Sequence, residues 1–367
     1  MAPQILASGW QYPRRKLKIL FFSCFANCFN YFFLLLCKLS FDKRENVEEN
    51  EMSIRELREK FEQEKAGKQE QGVLLTFEGV EGYDVYNTSV PFLYEGKEYI
   101  FGRVERRNEW ATSAVCLFSK KAEDVWDRVR DTMMYQLEDP FVVRINNELV
   151  LGGTRVDYSR GKLAGFCGVF YKGTNLFNLH YFTTGPQQMK DIRYVQLPDG
   201  KVGVFSRPRG EEIRKKYGSE AVIGFTVLND IEELDADVVE QATAIEGVFG
   251  KDEWGGCNQC LVLKNGKIGV IGHGCYNEFD GTINQLVYTN IAFVFDPKTF
   301  QVSDLKIIGT RTSYPVGEGK KPNLADCVFT SGIVKRADGR YDLYSGVGDT
   351  AEGRVVIDNP FPAEIKE

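Results

Sequence analysis

Phe92-Leu93-Tyr94-Glu95-Gly96-Lys97-Glu98-Tyr99-Ile100-Phe101-Gly102-Arg103 reads as an apolar strand, a tight turn, a second apolar strand and then a charge that a surface hairpin does not need. The pattern returns with turns at Asn146-Asn147, Asp199-Gly200, Asn265-Gly266 and Asp338-Gly339. These are hairpin residues, since Asn, Asp and Gly tolerate φ > 0. Seven residues past Gly96, Gly200 and Gly266 stand Arg103, Arg207 and His273; eight past Asn147 stands Arg155; the fifth copy ends in Ser345-Gly346-Val347-Gly348-Asp349-Thr350.

Polar residues also precede each first strand: Asn87-Thr88-Ser89, Glu138-Asp139, Lys190-Asp191, Trp254 to Asn258, and Asn323 to Asp326. In an antiparallel hairpin the start of strand one lies beside the end of strand two, so both polar sets fall opposite the turn. Turns roughly 50 to 75 residues apart, with room for about two more strands per unit, predict an all-β fold, a five-bladed β-propeller whose blades aim polar clusters at one axial funnel. An irregular β-sandwich with ordinary hairpins is the alternative.

Hydrophobic residues at 43% and 36 glycines among 367 residues fit a well-cored, turn-rich β protein. A net charge of -6 argues against a nucleic-acid partner. Cys257-Asn258-Gln259-Cys260 has no second CxxC and no helix around it, so no metal is expected. The cysteines read as buried, reduced thiols in a reducing compartment.

The expected organisation is an apolar segment over 1–51, a charged helix and linker over 52–71, and a catalytic propeller over 72–367. Arg14, Arg15, Lys16 and Lys18 precede an apolar run from Ile19 to Cys37, long enough to span a bilayer. It reads as a membrane anchor, a cleaved signal, or an extension from an upstream start codon, the last because Met52-Ser53 opens a fresh unit in which Ser53 can cap a helix to about Lys65. The expected location is cytoplasmic, or membrane-anchored through residues 19–37 if that run is retained. Asn87-Thr88-Ser89 is a formal glycosylation sequon at a predicted funnel mouth, where a sugar is not expected.

With two histidines, His180 and His273, and no nucleophile elbow, P-loop or dinucleotide fingerprint, triad and nucleotide-fold chemistries are set aside. Carboxylates beside cations and aromatics suit sugars and their phosphates. Pro140 is expected to hold Asp139 in extended backbone at the strand entry. Lys190, Arg207 and His273 read as three convergent donors for a phosphate dianion. Asp349 follows Gly346 and Gly348, where backbone can approach a ligand. Trp254, Tyr276 and Tyr314 are candidate stacking faces for a sugar.

The order Glu138-Asp139-Pro140, Lys190-Asp191, Arg207-Pro208, Gly272-His273-Gly274, Val328-Phe329 with Ser331-Gly332, and Tyr344 to Thr350 resembles that of the β-mannoside phosphorylases, which are five-bladed propellers. A closer likeness is to the mannogen mannosyltransferase/phosphorylases, from about Tyr83 to Pro360. By that resemblance Asp139 is the proton donor, acting through the mannose 3-hydroxyl. Lys190, Arg207 and His273 bind phosphate, and Asn87, Arg103, Asp191 and Asp349 hold mannose. It implies inverting phosphorolysis and synthesis of β-1,2-mannosides, with inorganic phosphate as co-substrate, no resident cofactor, mannose oligosaccharides as partners and a nucleotide-activated mannose as a further donor. Phe141 replaces the usual Arg, and Cys257 to Gln259 a more hydroxyl-rich stretch, which bears on subsite detail and acceptor choice. A hydrolase on the same propeller and a non-catalytic carbohydrate-binding propeller are the competing functions.

Overall fold

The computed structural model of the chain describes residues 52–65, 70–160 and 162–366. The expected segment 1–51, with its apolar run, lies outside the described residues. Among the described residues no helix is long and apolar enough to cross a membrane.

Five sheets form in chain order. The first holds β2 (Thr76–Glu78), β3 (Asp84–Tyr86), β4 (Phe92–Tyr94), β5 (Lys97–Glu105), β6 (Ala114–Ala122) and β7 (Val125–Arg128). The second is β8 (Glu138–Ile145), β9 (Glu148–Ser159), β10 (Lys162–Gly173) and β11 (His180–Gln187). The third is β12 (Arg193–Gln196), β13 (Val202–Ser206), β14 (Ile223–Leu228) and β15 (Thr243–Ile245). The fourth is β16 (Glu253–Val262), β17 (Ile268–Phe279), β18 (Asn284–Asp296) and β19 (Gln301–Gly309). The fifth, β20 (Val328–Lys335), β21 (Tyr341–Val347) and β22 (Ala351–Ile357), takes its outer strand, β1 (Val73–Leu74), from the other end of the chain. That exchange closes the ring and removes the open edges that an unclosed array of sheets would present.

First strands of neighbouring sheets touch, β8 with β12, β12 with β16 and β16 with β20, so they line the axis. The apolar core is divided accordingly. Each of five clusters lies between two adjacent blades, for example Phe205 and Phe225 with Phe293 and Phe295, or Phe141 and Phe170 with Tyr194. This is the five-bladed propeller that the hairpin spacing predicts.

The turns divide into two kinds. Glu95-Gly96 and Asn146-Asn147 have φ > 0 at both residues, the two-residue hairpin conformation. At the other three only the glycine is left-handed, and the Asx side chain accepts from the N–H two residues on: Lys201 to Asp199 (3.2 Å), Lys267 to Asn265 (3.1 Å) and Arg340 to Asp338 (3.0 Å).

Helix α1 (Ile54–Lys65) starts on a capping box, Glu56 N–H to Ser53 Oγ (3.2 Å) and Ser53 N–H to Glu56 Oε2 (2.8 Å). Ile54 is fully buried against Gly274, and Arg58 donates to Asp326 (2.7 Å) and Tyr276 (2.9 Å). The helix is thereby braced on the fourth blade.

Identical substitutions at two glycines separate turn conformation from packing. Gly266 has φ +80° with open space around it, so Gly266→Ala should cost about 1–2 kcal/mol. A Cβ on Gly346 would lie 1.8 Å from Asn87 Oδ1, so Gly346→Ala should cost more, about 3 kcal/mol, in urea unfolding.

Candidate active site

Four of the sequence-predicted residues have left-handed backbone: Asn87 (φ +47°), Asp139 (+50°), Asp191 (+59°) and Asp349 (+56°). Asn and Asp tolerate this region best, and strain of this sort gathers at functional sites. The extended conformation expected of Asp139 is therefore incorrect. Proline disfavours right-handed helical backbone in the residue before it, and the chain takes the left-handed alternative because the strand is bulged here. Glu138 pairs with Thr154 and Phe141 with Gly152, leaving Asp139-Pro140 opposite the single Gly153. The bulge lifts Asp139 off the ladder. A bulge between Cys257 and Gln259 does the same for Asn258.

Asn87, Arg103, Asp139, Lys190, Arg207, His273 and Asp349 all line one cavity of about 260 Å³ at the end of the hairpins opposite the turns. Asp191 stands behind its wall, bonded to Arg207. Arg155 does not line it; Thr154, seven residues past the turn as in the other blades, does. Successive strand residues face opposite ways, so a spacing of eight turns Arg155 outward to Asp157 (3.3 Å). The seventh position of the fifth blade is Gly346, which makes room for Asn87.

One wall of the cavity is acidic and organised by Arg103. Its guanidinium donates to Asp139 Oδ1 (3.0 Å), Glu138 Oε1 (2.9 Å), Glu105 Oε2 (3.4 Å) and Ser113 Oγ (2.8 Å), and lies over the Tyr86 ring. Asn87 Nδ2 donates to the same Asp139 oxygen (2.8 Å) and reaches Asp349 (3.5 Å). Asp139 Oδ1 is thus doubly occupied, and its Oδ2 is without a hydrogen bond among the described residues. Lys320 pairs with Glu105 and donates to the Tyr86 hydroxyl (3.1 Å). Burial pushes the Glu138 carboxyl up to about 7, against the pull of Arg103 and with the push of Asp139. Burial raises Asp349 in the same way. Four carboxylates here face two cations, so a bound proton is favoured on this wall.

The opposite wall is basic. Arg207 holds Asp191 Oδ2 at 2.5 Å, and His273 Nε2 lies 3.7 Å from that oxygen. Burial opposes ionisation of Asp191, but Arg207, with Lys190 and Arg193, holds it below the usual carboxylate range. His273 is fully buried, stacked beside Tyr288 and Phe329, with Nδ1 2.7 Å from Asn258 Oδ1. Burial pushes it down to about 3; Asp191 opposes this, and Arg207 and Lys190 reinforce it, so the ring is neutral. Lys190 makes no ion pair or hydrogen bond among the described residues, and Arg209 lies over Phe166. Three cations therefore share one carboxylate, which leaves a surplus positive field for an anion.

Trp254, Tyr276 and Tyr314 do not line the cavity; Tyr314 donates to Ser345 and Tyr276 accepts from Arg58. Trp110, Phe166, Tyr288 and Phe329 supply its aromatic surface instead. Asn87 is buried with its amide on Asp139 and Asp349, which excludes a sugar from the sequon. Cys116, Cys167, Cys257, Cys260, Cys275 and Cys327 are buried free thiols, as the sequence suggested.

A mannose phosphorylase from Leishmania mexicana, solved in complex with phosphate ion, is 48% identical over 86% of this chain and 96% of its own, with a TM-score of 0.80. The chain belongs to the mannosyltransferase/phosphorylase family. A GDP-Man-dependent mannosyltransferase of the same family, also from Leishmania mexicana, is 44% identical over 85% of this chain and 96% of its own (TM-score 0.78). A family model described as a protein of unknown function (DUF1861) matches residues 59–363. The β-1,2-mannobiose phosphorylase of Listeria innocua, 16% identical over 76% of this chain and 91% of its own with a TM-score of 0.54, shares the fold. No curated protein matches the chain.

The buried neutral imidazole has a consequence for acid stability. An unfolded histidine takes a proton near pH 6.5 and the folded one only near 3, so stability is lost as pH falls through that window. The unfolding free energy of the wild type minus that of His273→Gln should shrink between about pH 7 and about pH 4. The slope approaches about 1.4 kcal/mol per unit; a pH-independent difference in urea titrations would contradict it.

Proposed function

We propose that the chain catalyses the reversible, inverting phosphorolysis of β-1,2-linked mannosides to mannose 1-phosphate, with residues 72–367 as the catalytic unit. The observation that carries this is one sugar-sized cavity with a proton-holding carboxylate wall facing a cationic wall. Its support is the 48% identity to a mannose phosphorylase whose solved structure contains phosphate. Inorganic phosphate is the co-substrate in this reading.

Asp139 is the acid. Asn87 and Arg103 fix its Oδ1, which leaves Oδ2 to pass a proton through the mannose 3-hydroxyl to the departing glycosidic oxygen. Lys190 and Arg207 hold phosphate on the other side, with one of its oxygens directed at the anomeric carbon. The C1–O bond to the leaving sugar breaks as the new C1–O bond to phosphate forms, and a β-mannoside leaves as α-mannose 1-phosphate. Phosphate is already ionised and needs no general base. An inverting hydrolase instead needs a second carboxylate to activate water, about 6.5–9.5 Å from the acid. The carboxylate on the cationic wall, Asp191, is neutralised by Arg207 and withdrawn behind the surface, which favours phosphate over water as nucleophile. Asn87, Arg103 and Asp349 face the mannose, and Asp191 orients the Arg207 guanidinium that holds the phosphate.

Transfer from a nucleotide-activated mannose is the second reading, supported by the 44% identity to the GDP-Man-dependent mannosyltransferase. Incubating the protein with β-1,2-mannobiose with and without phosphate, and with GDP-mannose and a mannose acceptor, separates these activities. Mannose 1-phosphate formed only with phosphate is the expected outcome; mannose released equally without phosphate would identify a hydrolase. Asp139→Asn should lower kcat by about 10³-fold with an unchanged circular dichroism spectrum. Arg207→Ala should raise the KM for phosphate more than that for the mannoside, and an equal rise in both would contradict the assignment.

A further inference from the structure

The sequence reading treats His273 as one of three donors to an anion, and its surroundings argue otherwise. Its Nδ1 lies 2.7 Å from the Asn258 side-chain oxygen, which only accepts, so Nδ1 carries the hydrogen. The other nitrogen, Nε2, is buried with no hydrogen-bond partner among the described residues. It lies 3.7 Å from the oxygen of Asp191 that Arg207 grips, so it flanks the guanidinium assigned to phosphate. Asn258 is itself pinned. It is the extra residue of a bulge in β16, and its carbonyl accepts from Nε of Arg193 (3.0 Å), whose guanidinium lies over Phe141.

We propose that Asn258 is a positioning residue that holds His273 in the Nδ1–H form, so that Nε2 offers a lone pair and the site prefers a tetrahedral oxyanion that still carries a proton. Hydrogen phosphate and hydrogen arsenate meet that condition. Sulfate is a dianion of the same shape with no proton, and would set an oxygen lone pair against Nε2. A site built to bond a hydroxyl rejects the analogue that lacks it, because its own polar atom is left unpaired. The preference deepens the phosphorolysis reading and rests on it for the identity of the anion.

The chain has two histidines, and His180 is exposed on β11, so nitrogen-15 NMR of the free protein can resolve His273. The groups around the ring are Asp191, Arg207, Lys190 and Arg193, with Tyr288 and Phe329 on its faces. The expected spectrum shows His273 protonated at Nδ1, with Nε2 bare. Calorimetry should show arsenate binding like phosphate, and sulfate about 10- to 100-fold more weakly. Asn258→Leu should narrow that ratio and raise the phosphate KM while changing kcat less.

A ring protonated at Nε2, sulfate bound as tightly as phosphate, or a ratio unchanged in Asn258→Leu would each overturn the proposal. The spectrum and the binding ratio need no turnover. Loss of selectivity with phosphorolysis intact would sink this inference alone, while intact selectivity without any phosphate-dependent product would sink the assigned reaction and leave it standing.

Discussion

Two buried ions of opposite sign organise the cavity: Arg103 among four carboxylates, and Asp191 among the cations of the facing wall. Taking either out of water costs several kcal/mol, which is recovered only if every neighbour is in place. Each is supplied by a different blade. Arg103 on β5 binds carboxylates at the entry to β8, while Asp191 precedes β12 and meets Arg207 just past β13 and His273 from β17. The ring must close for these charges to be compensated, so the polar site and the apolar inter-blade clusters specify the same arrangement. The resulting field runs across the cavity from a carboxylate-rich wall to a cation-rich one.

The backbone concessions are concentrated at the same place. Left-handed Asn87, Asp139, Asp191 and Asp349, the bulges at Asp139-Pro140 and Asn258, and the missing side chain at Gly346 all lie at the hairpin ends opposite the turns. A regular ladder would send alternate side chains into the inter-blade cores. Bulges and positive φ are what redirect polar ones along the axis. The turn ends, by contrast, use the glycines and Asx residues of ordinary hairpins and contribute no residue to the cavity.

Much of this was legible in the chain because hairpins write their geometry locally. The turn residues gave the blades, and a fixed count from each turn gave Arg103, Arg207 and His273. Departing from that count misled at Arg155, where one residue more reverses the face and the seventh residue, Thr154, is the one that lines the cavity. Glu105 was readable in principle, two residues beyond Arg103 on the same side of the strand. Lys320 was not, because it comes from a loop with no register to count. Asn258 sat within a recognised polar stretch, but a bulge is invisible to period-2 patterning, so its contact with His273 needed the folded chain. The stacking residues failed for a related reason: Trp254, Tyr276 and Tyr314 are aromatic and near polar motifs, yet their side chains serve packing and the α1 brace. The β-mannoside reading came from motif order, and 48% identity over most of both chains places the protein in the mannosyltransferase/phosphorylase family.

The division of the cavity into a proton side and an anion side is tested most directly by a crystal structure of the protein with phosphate and mannose bound together. The account predicts phosphate oxygens within hydrogen-bond distance of Arg207 and Lys190, with a mannose hydroxyl on Oδ2 of Asp139. Phosphate on the Arg103 side, or mannose bound away from Asp139, would contradict it.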